Sequence, residues 1–345
     1  MVSEDKQRIT RRAYARIGLL GNPSDGFNGK TISISVENFY AEVTLTPSSQ
    51  IRFLPHPEHD PQEFDSLVAL ATRVKTHGYY GGIRLLQALC YKFHEHCTNL
   101  QIALPAKPFT LKYETNIPKQ AGLSGSSAII CAALKCLIEF YGVESEMVKA
   151  DLPSLILSAE SELAITAGLQ DRVIQVYEGA VFMDFSKEIM EEKGRGEYTE
   201  LDPGLIPQLY MIFCENPGDS GKVHNTVKQR WLAGDPVVRQ GMEDVAALAV
   251  KGRKALEACD MGAFATCLDN NFALRRKMYG DEALGALNIR MVTIAQDVGA
   301  AAKFTGSGGA SVVFLREQTQ LQPLQEACDK EGFTLLPVTI HATSC

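Results

Sequence analysis

The segment from Thr31 to Thr46 alternates between apolar and polar residues. Such a period of two is typical of a β-strand with one buried face. The apolar positions change parity part-way: Ile32, Ile34 and Val36 share one parity, and Phe39, Ala41, Val43 and Leu45 share the other. Because a change of parity turns the apolar set to the opposite face, the pattern predicts two strands that meet around Glu37 and Asn38.

The next segments carry helical periodicity. Leu67 to Cys97 reads mostly as helix, with a break at the turn from Gly78 to Gly82. Phe109 to Thr115 alternates again and predicts a strand. Ser126 to Tyr141 then predicts a helix that stops at Gly142, and because it is apolar on most sides we expect it to be buried.

The remainder of the chain interleaves strands with helices. The expected elements are a helix at Leu155–Ala167 that ends at Gly168, a helix from Asp171 to Tyr177, strands at Ala180–Phe185 and Leu209–Cys214, helices from about Pro236 to Val298, strands near Ala302 and at Ser311–Leu315, a further helix, and a last strand at Thr334–Val338. This order predicts an α+β sandwich.

The length of 345 residues exceeds what one hydrophobic core usually serves, so two domains are expected. The segment from Lys187 to Pro207 is charged and rich in glycine and proline, which favours it as the boundary. We therefore predict an N-terminal domain over residues 1–200 and a C-terminal domain over residues 201–345.

The balance of charge limits the kind of partner. The net charge of −7, from 34 basic and 41 acidic residues, gives no reason to expect a nucleic acid or an anionic membrane as partner. No signal-peptide pattern opens the chain, and no apolar run is long enough to span a bilayer, so a cytoplasmic protein is expected. The nine cysteines include no Cys-x-x-Cys pair and predict reduced, mostly buried thiols.

A glycine- and serine-rich loop from Pro118 to Ser127 follows a predicted strand and opens directly into the buried helix. The first amide groups of a helix lack intrahelical partners and carry partial positive charge, so they can bind a triphosphate. The alternative is a serine N-cap after a flexible turn. The candidate nucleotide-binding residues are Pro118, Gly122, Leu123, Ser124, Gly125, Ser126, Ser127 and Ala128.

Three ordered motifs resemble those of the GHMP kinases, the family of galactokinase, homoserine kinase and mevalonate kinase. The family's phosphate motif, Pro-x-x-x-Gly-Leu-Gly-Ser-Ser-Ala, is matched from Pro118 to Ala128 with Ser124 inserted. Its N-terminal motif is matched by Ala15 to Asp25, and its C-terminal glycine motif by Lys303 to Ala310. The resemblance implies a two-domain α+β fold, with a ribosomal protein S5 domain 2-like N-terminal domain and a ferredoxin-like C-terminal domain.

Within that family the chain is most similar to the plant-type glucuronokinase branch. The runs that carry this similarity are Tyr14 to Asp25, Gly122 to Ala128, Ala167 to Arg172 and Glu215 to His224. The resemblance implies a kinase that makes glucuronate 1-phosphate from D-glucuronate and ATP, with Mg²⁺ as cofactor. This product would feed UDP-glucuronate synthesis. Gly26-Phe27-Asn28 departs from the Val-Tyr-Phe of that branch, so a kinase for fucose, galacturonate or a heptose derivative stays open, as does a non-catalytic sugar sensor.

The resemblance also implies catalytic and metal-binding roles. Asp171 would accept the proton of the sugar hydroxyl, and Arg16 would stabilise the developing charge. Glu160 would hold Mg²⁺ together with Ser126 or Ser127, the two serines of the phosphate motif. Simpler interpretations stay open here: a surface arginine at a strand edge, an acid favoured by a helix dipole, and a solvated glutamate whose role Glu162 takes instead.

The sugar itself would contact the residues that match the family's substrate loops, which are Asp25, Gly306, Ser307 and Gly308. Asn22-Pro23 stands where galactokinases have Glu-His, and the lack of a carboxylate there fits an acidic sugar. Arg172 is one candidate for the partner of the substrate carboxylate, because guanidinium binds carboxylate at two points. Competing candidates are Lys222, Arg230 and Arg276. The oligomeric state does not follow from the sequence.

Overall fold

The computed structural model describes residues 8–79, 81–214 and 221–341. The chain forms two compact units. The first unit comprises the described residues of Met1–Ala13, Tyr40–Asn116 and Gly125–Ala167, and the second those of Tyr14–Phe39, Ile117–Ser124 and Gly168–Cys345. The predicted division into residues 1–200 and 201–345 concerns domains of a family fold and stays a prediction.

The first unit combines strands with a group of helices. Its elements are the first part of β1 (Ile9–Leu20), the second half of β2 (Lys30–Pro47), β3 (Arg52–Phe53), α1 (Leu67–His77), α2 (Gly82–Asn99), β4 (Phe109–Thr115), α3 (Gly125–Tyr141) and α4 (Leu152–Glu162). β2 and β4 pair antiparallel, with Ala41 opposite Thr115 and Pro47 opposite Phe109. Helices α2, α3 and α4 pack against one another.

The second unit holds the remaining elements. They are the later part of β1, the first half of β2, α5 (Gln170–Tyr177), β5 (Ala180–Asp184), α6 (Lys187–Lys193), β6 (Glu197–Leu201), β7 (Tyr210–Phe213), α7 (Gly221–Leu232), α8 (Pro236–Glu257), α9 (Met261–Tyr279), α10 (Asp281–Leu284), α11 (Ala286–Asp297), β8 (Ala301–Phe304), β9 (Ala310–Phe314), α12 (Leu321–Glu331) and β10 (Thr334–Pro337). β5 lies between β2 and β6. A separate antiparallel sheet has the order β10-β7-β9-β8, and α9 and α11 pack on β8.

Most predicted elements are present, and α3 shows why. Its side chains are buried on nearly every side, as the apolar sequence requires, and Gly142 follows it with a φ of 67°. In the described part of the chain, no helix is both long and apolar enough to cross a membrane.

Two predicted boundaries are wrong. β2 is one strand and not two, because the change of parity at Glu37 coincides with a change of partner, from β5 in the first half to β4 in the second. The helix expected to reach Ala167 ends at Glu162. Ala164 takes a left-handed φ of 59°, and the N–H of Ile165 bonds back to the carbonyl of Glu160, which terminates α4.

The segment expected as the domain boundary, Lys187 to Pro207, contains a helix and a strand. It contains α6, and β6 pairs antiparallel with β5 from Glu197 opposite Asp184 to Leu201 opposite Ala180. Its charged residues are mostly exposed on these elements. The composition of the segment therefore reflects an edge strand and a surface helix.

Candidate active site

Arg16 lies in the buried part of β1 and is only 4% exposed. Its Nε and Nη2 donate hydrogen bonds to the two carboxylate oxygens of Asp171, at 2.5 and 2.9 Å. Its Nη1 donates to the carbonyl oxygen of Gly122 at 2.6 Å. Arg16 is therefore no surface arginine, because it joins the acidic residue of α5 to the glycine-rich loop.

Asp171 is the second residue of α5 and receives a third side-chain donor. The hydroxyl of Ser124 donates to its Oδ2 at 2.5 Å, and Nη1 of Arg172 lies 3.5 Å from the same oxygen. Burial raises the pKa of Asp171, but the charges of Arg16 and Arg172 and the hydrogen bonds from Arg16 and Ser124 outweigh it, so the pKa lies below its ordinary value. The group is a fixed, ionised hydrogen-bond acceptor.

A second carboxylate, Asp25, lies in the short 3-10 turn Ser24–Phe27. It accepts a hydrogen bond from the backbone N–H of Gln170 at 3.3 Å. A Cβ added at Gly168 would lie 1.8 Å from its Oδ2, so the glycine leaves the space that this carboxylate occupies. Burial and then the charge of Asp171 raise the pKa of Asp25 to about 6, against the lowering effects of the Gln170 N–H and two arginines.

The turn that carries Asp25 is tied to the core of the second unit by two buried polar side chains. Lys303 in β8 donates to Oδ1 of Asn22 at 2.6 Å. Asn271 in α9 accepts from the N–H of Gly21 at 2.8 Å and donates to the carbonyl of Asn22 at 3.0 Å. Asn22 is 1% exposed, so its buried hydrogen bonds hold the turn against the core of the second unit.

The part of the phosphate loop from Pro118 to Ser124 belongs to the second unit. Gly122 has a φ of 62°, and a Cβ added there would lie 2.3 Å from the carbonyl oxygen of Gly308. Ser124 also has a positive φ, of 64°, and its carbonyl accepts from Nε2 of Gln175 at 2.9 Å. The loop thus needs a glycine at position 122, where the C-terminal glycine loop approaches it closely.

The remaining part of the loop belongs to the first unit and begins α3 at Gly125. The hydroxyl of Ser126 donates to Oε1 of Glu160 in α4 at 2.7 Å. Ser127 and Ala128 are fully buried, as is Glu160. The interpretation of Glu160 as a solvated glutamate is therefore wrong, and Ser126 is the serine whose hydroxyl meets this carboxylate.

Glu162 is the alternative to Glu160 as the metal-binding acid. Its side chain is 46% exposed and forms an ion pair with Lys92 at 3.2 Å. It is therefore a surface residue of α4, whereas Glu160 on the same helix is buried.

The C-terminal glycine loop, Gly306 to Gly308, connects β8 to β9. A Cβ added at Gly306 would lie 2.8 Å from both terminal nitrogens of Arg16. On its other side the carbonyl of Gly306 accepts a hydrogen bond from Nη1 of Arg275 at 2.7 Å. The structure therefore brings together Arg16, Asp171, Gly122 and this loop within the second unit.

The arginines proposed for a substrate carboxylate differ in their surroundings. Arg172 is buried, donates to the carbonyl of Gly168 at 2.8 Å, and acts on the pKa of both Asp171 and Asp25. Arg276 is exposed and makes a two-point ion pair with Asp281. Arg230 pairs with Asp235 and the carbonyl of Met278. The side chain of Lys222 and the run Glu215 to Ser220 lie outside the described residues.

Two charged residues of the second unit were missed from sequence. Arg275 and Lys303 are both almost completely buried, at 2% and 1% exposure. A signal for Arg275 exists, because it interrupts the buried stripe of α9 formed by Phe264, Leu268, Phe272 and Met278. Lys303 opens the C-terminal glycine motif, and its residue type alone does not distinguish it from a surface lysine.

Comparison with known proteins places this arrangement in a class. Residues 84–179 match the model of the GHMP kinases N terminal domain. Phosphomevalonate kinase from Streptococcus pneumoniae, in complex with phosphomevalonate and AMPPNP, superposes with a TM-score of 0.73, covering 96% of this chain and 100% of its own at 12% identity. Galactokinase from Lactococcus lactis gives a TM-score of 0.70, covering 99% and 95% at 14% identity. The fold is that of a GHMP kinase.

A much higher similarity is found at the level of sequence. Glucuronokinase 1 of Arabidopsis thaliana is 53% identical over 339 residues, which cover 98% of this chain and 93% of the plant protein. The chain therefore belongs to the GHMP kinase family, in its glucuronokinase branch. The predicted family, fold class and enzyme class, an ATP-dependent kinase, are confirmed.

Proposed function

We propose that this chain transfers the γ-phosphate of ATP to the anomeric hydroxyl of D-glucuronate, giving glucuronate 1-phosphate and ADP. The 53% identity to glucuronokinase 1 supports the substrate, because it extends over 98% of the chain. Relatives that act on other sugars are more distant: a heptose 7-phosphate kinase of Campylobacter jejuni is 25% identical over 65% of the chain.

The observation that carries the mechanism is the two-point pairing of Arg16 with Asp171. In phosphoryl transfer the protein mainly positions the reactants and stabilises charge. Asp171 would accept a hydrogen bond from the anomeric hydroxyl and receive its proton as the oxygen bonds to phosphorus and the bond to the β-phosphate oxygen breaks. Since the pKa of Asp171 is low, we infer that it aims the hydroxyl first and takes the proton late.

The charges around this pair favour an anionic sugar. In the described residues of the second unit, the arginines Arg16, Arg172 and Arg275 influence one another or the two carboxylates Asp25 and Asp171. These three arginines outnumber the two carboxylates, although the whole chain has a net charge of −7. Such a local excess of positive charge attracts a substrate that carries its own carboxylate.

Arg172 is our candidate for the residue that binds the sugar carboxylate. It is buried beside Asp171 and Asp25, whereas Arg276 lies on the surface and pairs with Asp281. Arg172→Gln should raise the KM for glucuronate at least tenfold while leaving the KM for ATP within about twofold. Arg276→Gln is the matched control, and equal KM values for glucuronate in the two variants would exclude this role.

The nucleotide is proposed to bind along the glycine-rich loop and the N-terminus of α3. The first N–H groups of a helix have no acceptor within the helix, and such groups suit phosphate oxygens. The hydroxyl of Ser126 and the carboxylate of Glu160 are the hard oxygen donors that Mg²⁺ prefers, and their contact at 2.7 Å makes them fit as its protein ligands. When bound, the ion would neutralise phosphate charge.

ADP formation with D-glucuronate, D-galacturonate, D-galactose and L-fucose, measured side by side at equal concentration, tests the proposal. Glucuronate should give the highest kcat/KM by at least tenfold. The Asp171→Asn variant serves as the blank for contaminating kinases. A higher kcat/KM with any of the other three sugars would overturn the substrate, and no ADP formation with any sugar would favour the non-catalytic sensor.

A further inference from the structure

Ser124 has a backbone conformation that ordinarily favours glycine. Its φ of 64° lies in the left-handed region, where a Cβ atom is unfavourable. A glycine would fit here without that cost, yet the chain has a serine. Ser124 is also the residue by which this loop departs from the family's phosphate motif, since it is inserted between Leu123 and Gly125. A side chain that is kept in an unfavourable conformation points to a role for its hydroxyl.

The hydroxyl of Ser124 bonds to the carboxylate of Asp171. Its Oγ lies 2.5 Å from Oδ2. The pKa of Asp171 is below its ordinary value, so the carboxylate is ionised and can only accept hydrogen bonds. The single hydrogen of the hydroxyl is therefore donated to Oδ2. Hydrogen bonds to a charged acceptor are among the stronger ones in proteins.

The backbone of Ser124 is held by the same helix. Gln175 lies one turn after Asp171 on α5, so the two side chains share a face of that helix. Gln175 is fully buried, and its Nε2 donates to the carbonyl oxygen of Ser124 at 2.9 Å. Helix α5 thus contacts Ser124 twice, at the hydroxyl and at the carbonyl. These two contacts fix the serine relative to the carboxylate.

The two oxygens of Asp171 have different surroundings. Oδ2 accepts from Ser124 and from Nη2 of Arg16 at 2.9 Å, and Nη1 of Arg172 lies 3.5 Å away. Among the described residues, Oδ1 accepts only from Nε of Arg16, at 2.5 Å. Because each carboxylate oxygen offers about two acceptor sites, Oδ2 is filled and Oδ1 has room for one more donor. The side chain is 16% exposed, so a substrate can reach it.

We propose that Ser124 is a positioning residue for phosphoryl transfer: it occupies Oδ2 of Asp171, so that Oδ1 is the atom that takes the proton of the sugar hydroxyl. This inference rests on the proposed kinase function. The sugar oxygen bonds to the γ-phosphorus, the bond from that phosphorus to the β-phosphate oxygen breaks, and the hydroxyl proton passes to Oδ1. Without Ser124 the carboxylate is less well aligned for this step, which lowers kcat and not the affinity for either substrate.

Ser124→Ala and Ser124→Gly separate the hydroxyl from the backbone. Both variants lack the hydrogen bond, so kcat with glucuronate should fall about tenfold or more in both, with the KM values for ATP and glucuronate changed less than about threefold. Their stabilities in urea should differ, because only glycine relieves the positive φ. Activity should therefore not follow stability, as it would if the residue served the fold alone.

The control for the backbone is Cys259→Gly. Cys259 is exposed and has a similar positive φ, of 54°. Glycine relieves the same strain there without removing a contact to Asp171. This variant should gain stability and keep the kcat of the unaltered protein.

Gln175→Met tests the support of Ser124. It removes the bond to the serine carbonyl but keeps the serine hydroxyl, so kcat should fall about threefold or more at little changed KM values. Since Gln175 acts through Ser124, the variant that carries both Ser124→Ala and Gln175→Met should be no slower than Ser124→Ala. Losses of kcat that multiply in the double variant would contradict this order of action.

An unaltered kcat in Ser124→Ala overturns the inference. Recovery of kcat in Ser124→Gly would assign the effect to backbone strain, and a raised KM for ATP at constant kcat would make Ser124 a nucleotide contact only; either result also overturns it. If the unaltered protein forms no ADP with any of the four sugars, the proposed function fails, and this inference fails with it. Activity with glucuronate that is insensitive to residue 124 contradicts the present inference alone.

Discussion

Arg16 and Asp171 are 155 residues apart in sequence and meet through two parallel hydrogen bonds, with Nε and Nη2 of the arginine on the two carboxylate oxygens. The same arginine bonds to Gly122, and the same carboxylate accepts from Ser124, so both ends of the pair reach the phosphate loop. The pair therefore fixes the position of the Asp171 carboxylate relative to that loop.

Asp171→Asn should lower kcat with glucuronate by about 10²-fold or more, because the amide cannot take the proton and pairs poorly with Arg16. The loss should be similar across neutral pH, since the pKa of Asp171 lies below its ordinary value and the carboxylate is ionised throughout. Steady-state kinetics at several pH values measure this. Turnover within threefold of the unaltered protein would limit Asp171 to a structural role.

Asp25 should produce a pH dependence near 6. Its pKa is raised to about 6, so the carboxylate takes up a proton as the pH falls through that value and loses an acceptor for sugar hydroxyls. We expect kcat/KM for glucuronate to decline below about pH 6, and Asp25→Asn to lack this decline at a lower overall value. An unchanged profile in Asp25→Asn would assign the decline to another group.

The same raised pKa has a consequence for stability. A folded state that holds a proton more tightly than the unfolded chain is favoured at low pH. The contribution of Asp25 to the free energy of unfolding is therefore greatest below its ordinary pKa of 3.8 and is lost as the pH rises to about 6. Asp25→Asn should be at least as stable as the unaltered protein at pH 7, as measured by urea unfolding. A clear loss of stability there would contradict the assigned pKa.

Gly168→Ala should displace the Asp25 carboxylate, because the added Cβ would lie 1.8 Å from its Oδ2. The KM for glucuronate should rise about tenfold or more, with the KM for ATP little changed. Gly26→Ala is a close control, since a Cβ at that position of the same turn has no atom within 4 Å. Equal KM values in the two variants would show that Asp25 makes no contact with the sugar.

Glu160→Gln should raise the Mg²⁺ concentration needed for half-maximal activity at least tenfold, because a carboxylate ligand is replaced by a neutral amide. Ser126→Ala should shift it in the same direction by a smaller factor. The control is Glu162→Gln in the same helix, which lies on the surface beside Lys92. Activity titrated with MgCl₂ at fixed ATP is the measurement, and matching midpoints for Glu160→Gln and Glu162→Gln would remove Glu160 from the metal site.

Much of this site follows from sequence where local pattern and chemistry agree. The helix after Ser126 is apolar, capped by Gly142 and preceded by a loop with two glycines, and each of these signals predicts the same structure. The predictions were wrong where a contact with a residue distant in sequence determines the local structure. The parity change in β2 reflects a change of neighbouring strand, and Ala164 ends α4 although nothing in its residue type requires a left-handed φ.

The burial of Arg275 was not predicted from the sequence for a related reason. Its neighbour Arg276 has the same chemistry, and only the orientation of α9 against β8 makes one buried and the other exposed. The choice between Glu160 and Glu162 is of the same kind, since the two lie on one helix and differ in which side faces the core. Residue type supplied the candidates, and the packing of the helices selected among them.

The three arginines gathered around two carboxylates in the second unit also bear on the end of the catalytic cycle. Glucuronate arrives with one negative charge, whereas glucuronate 1-phosphate leaves with a phosphate in addition. An electropositive pocket holds the more highly charged sugar longer, so we expect departure of the product to limit turnover and added salt to accelerate it by screening the attraction. The charges proposed to select an acidic sugar would then also limit how quickly the enzyme becomes free for the next one.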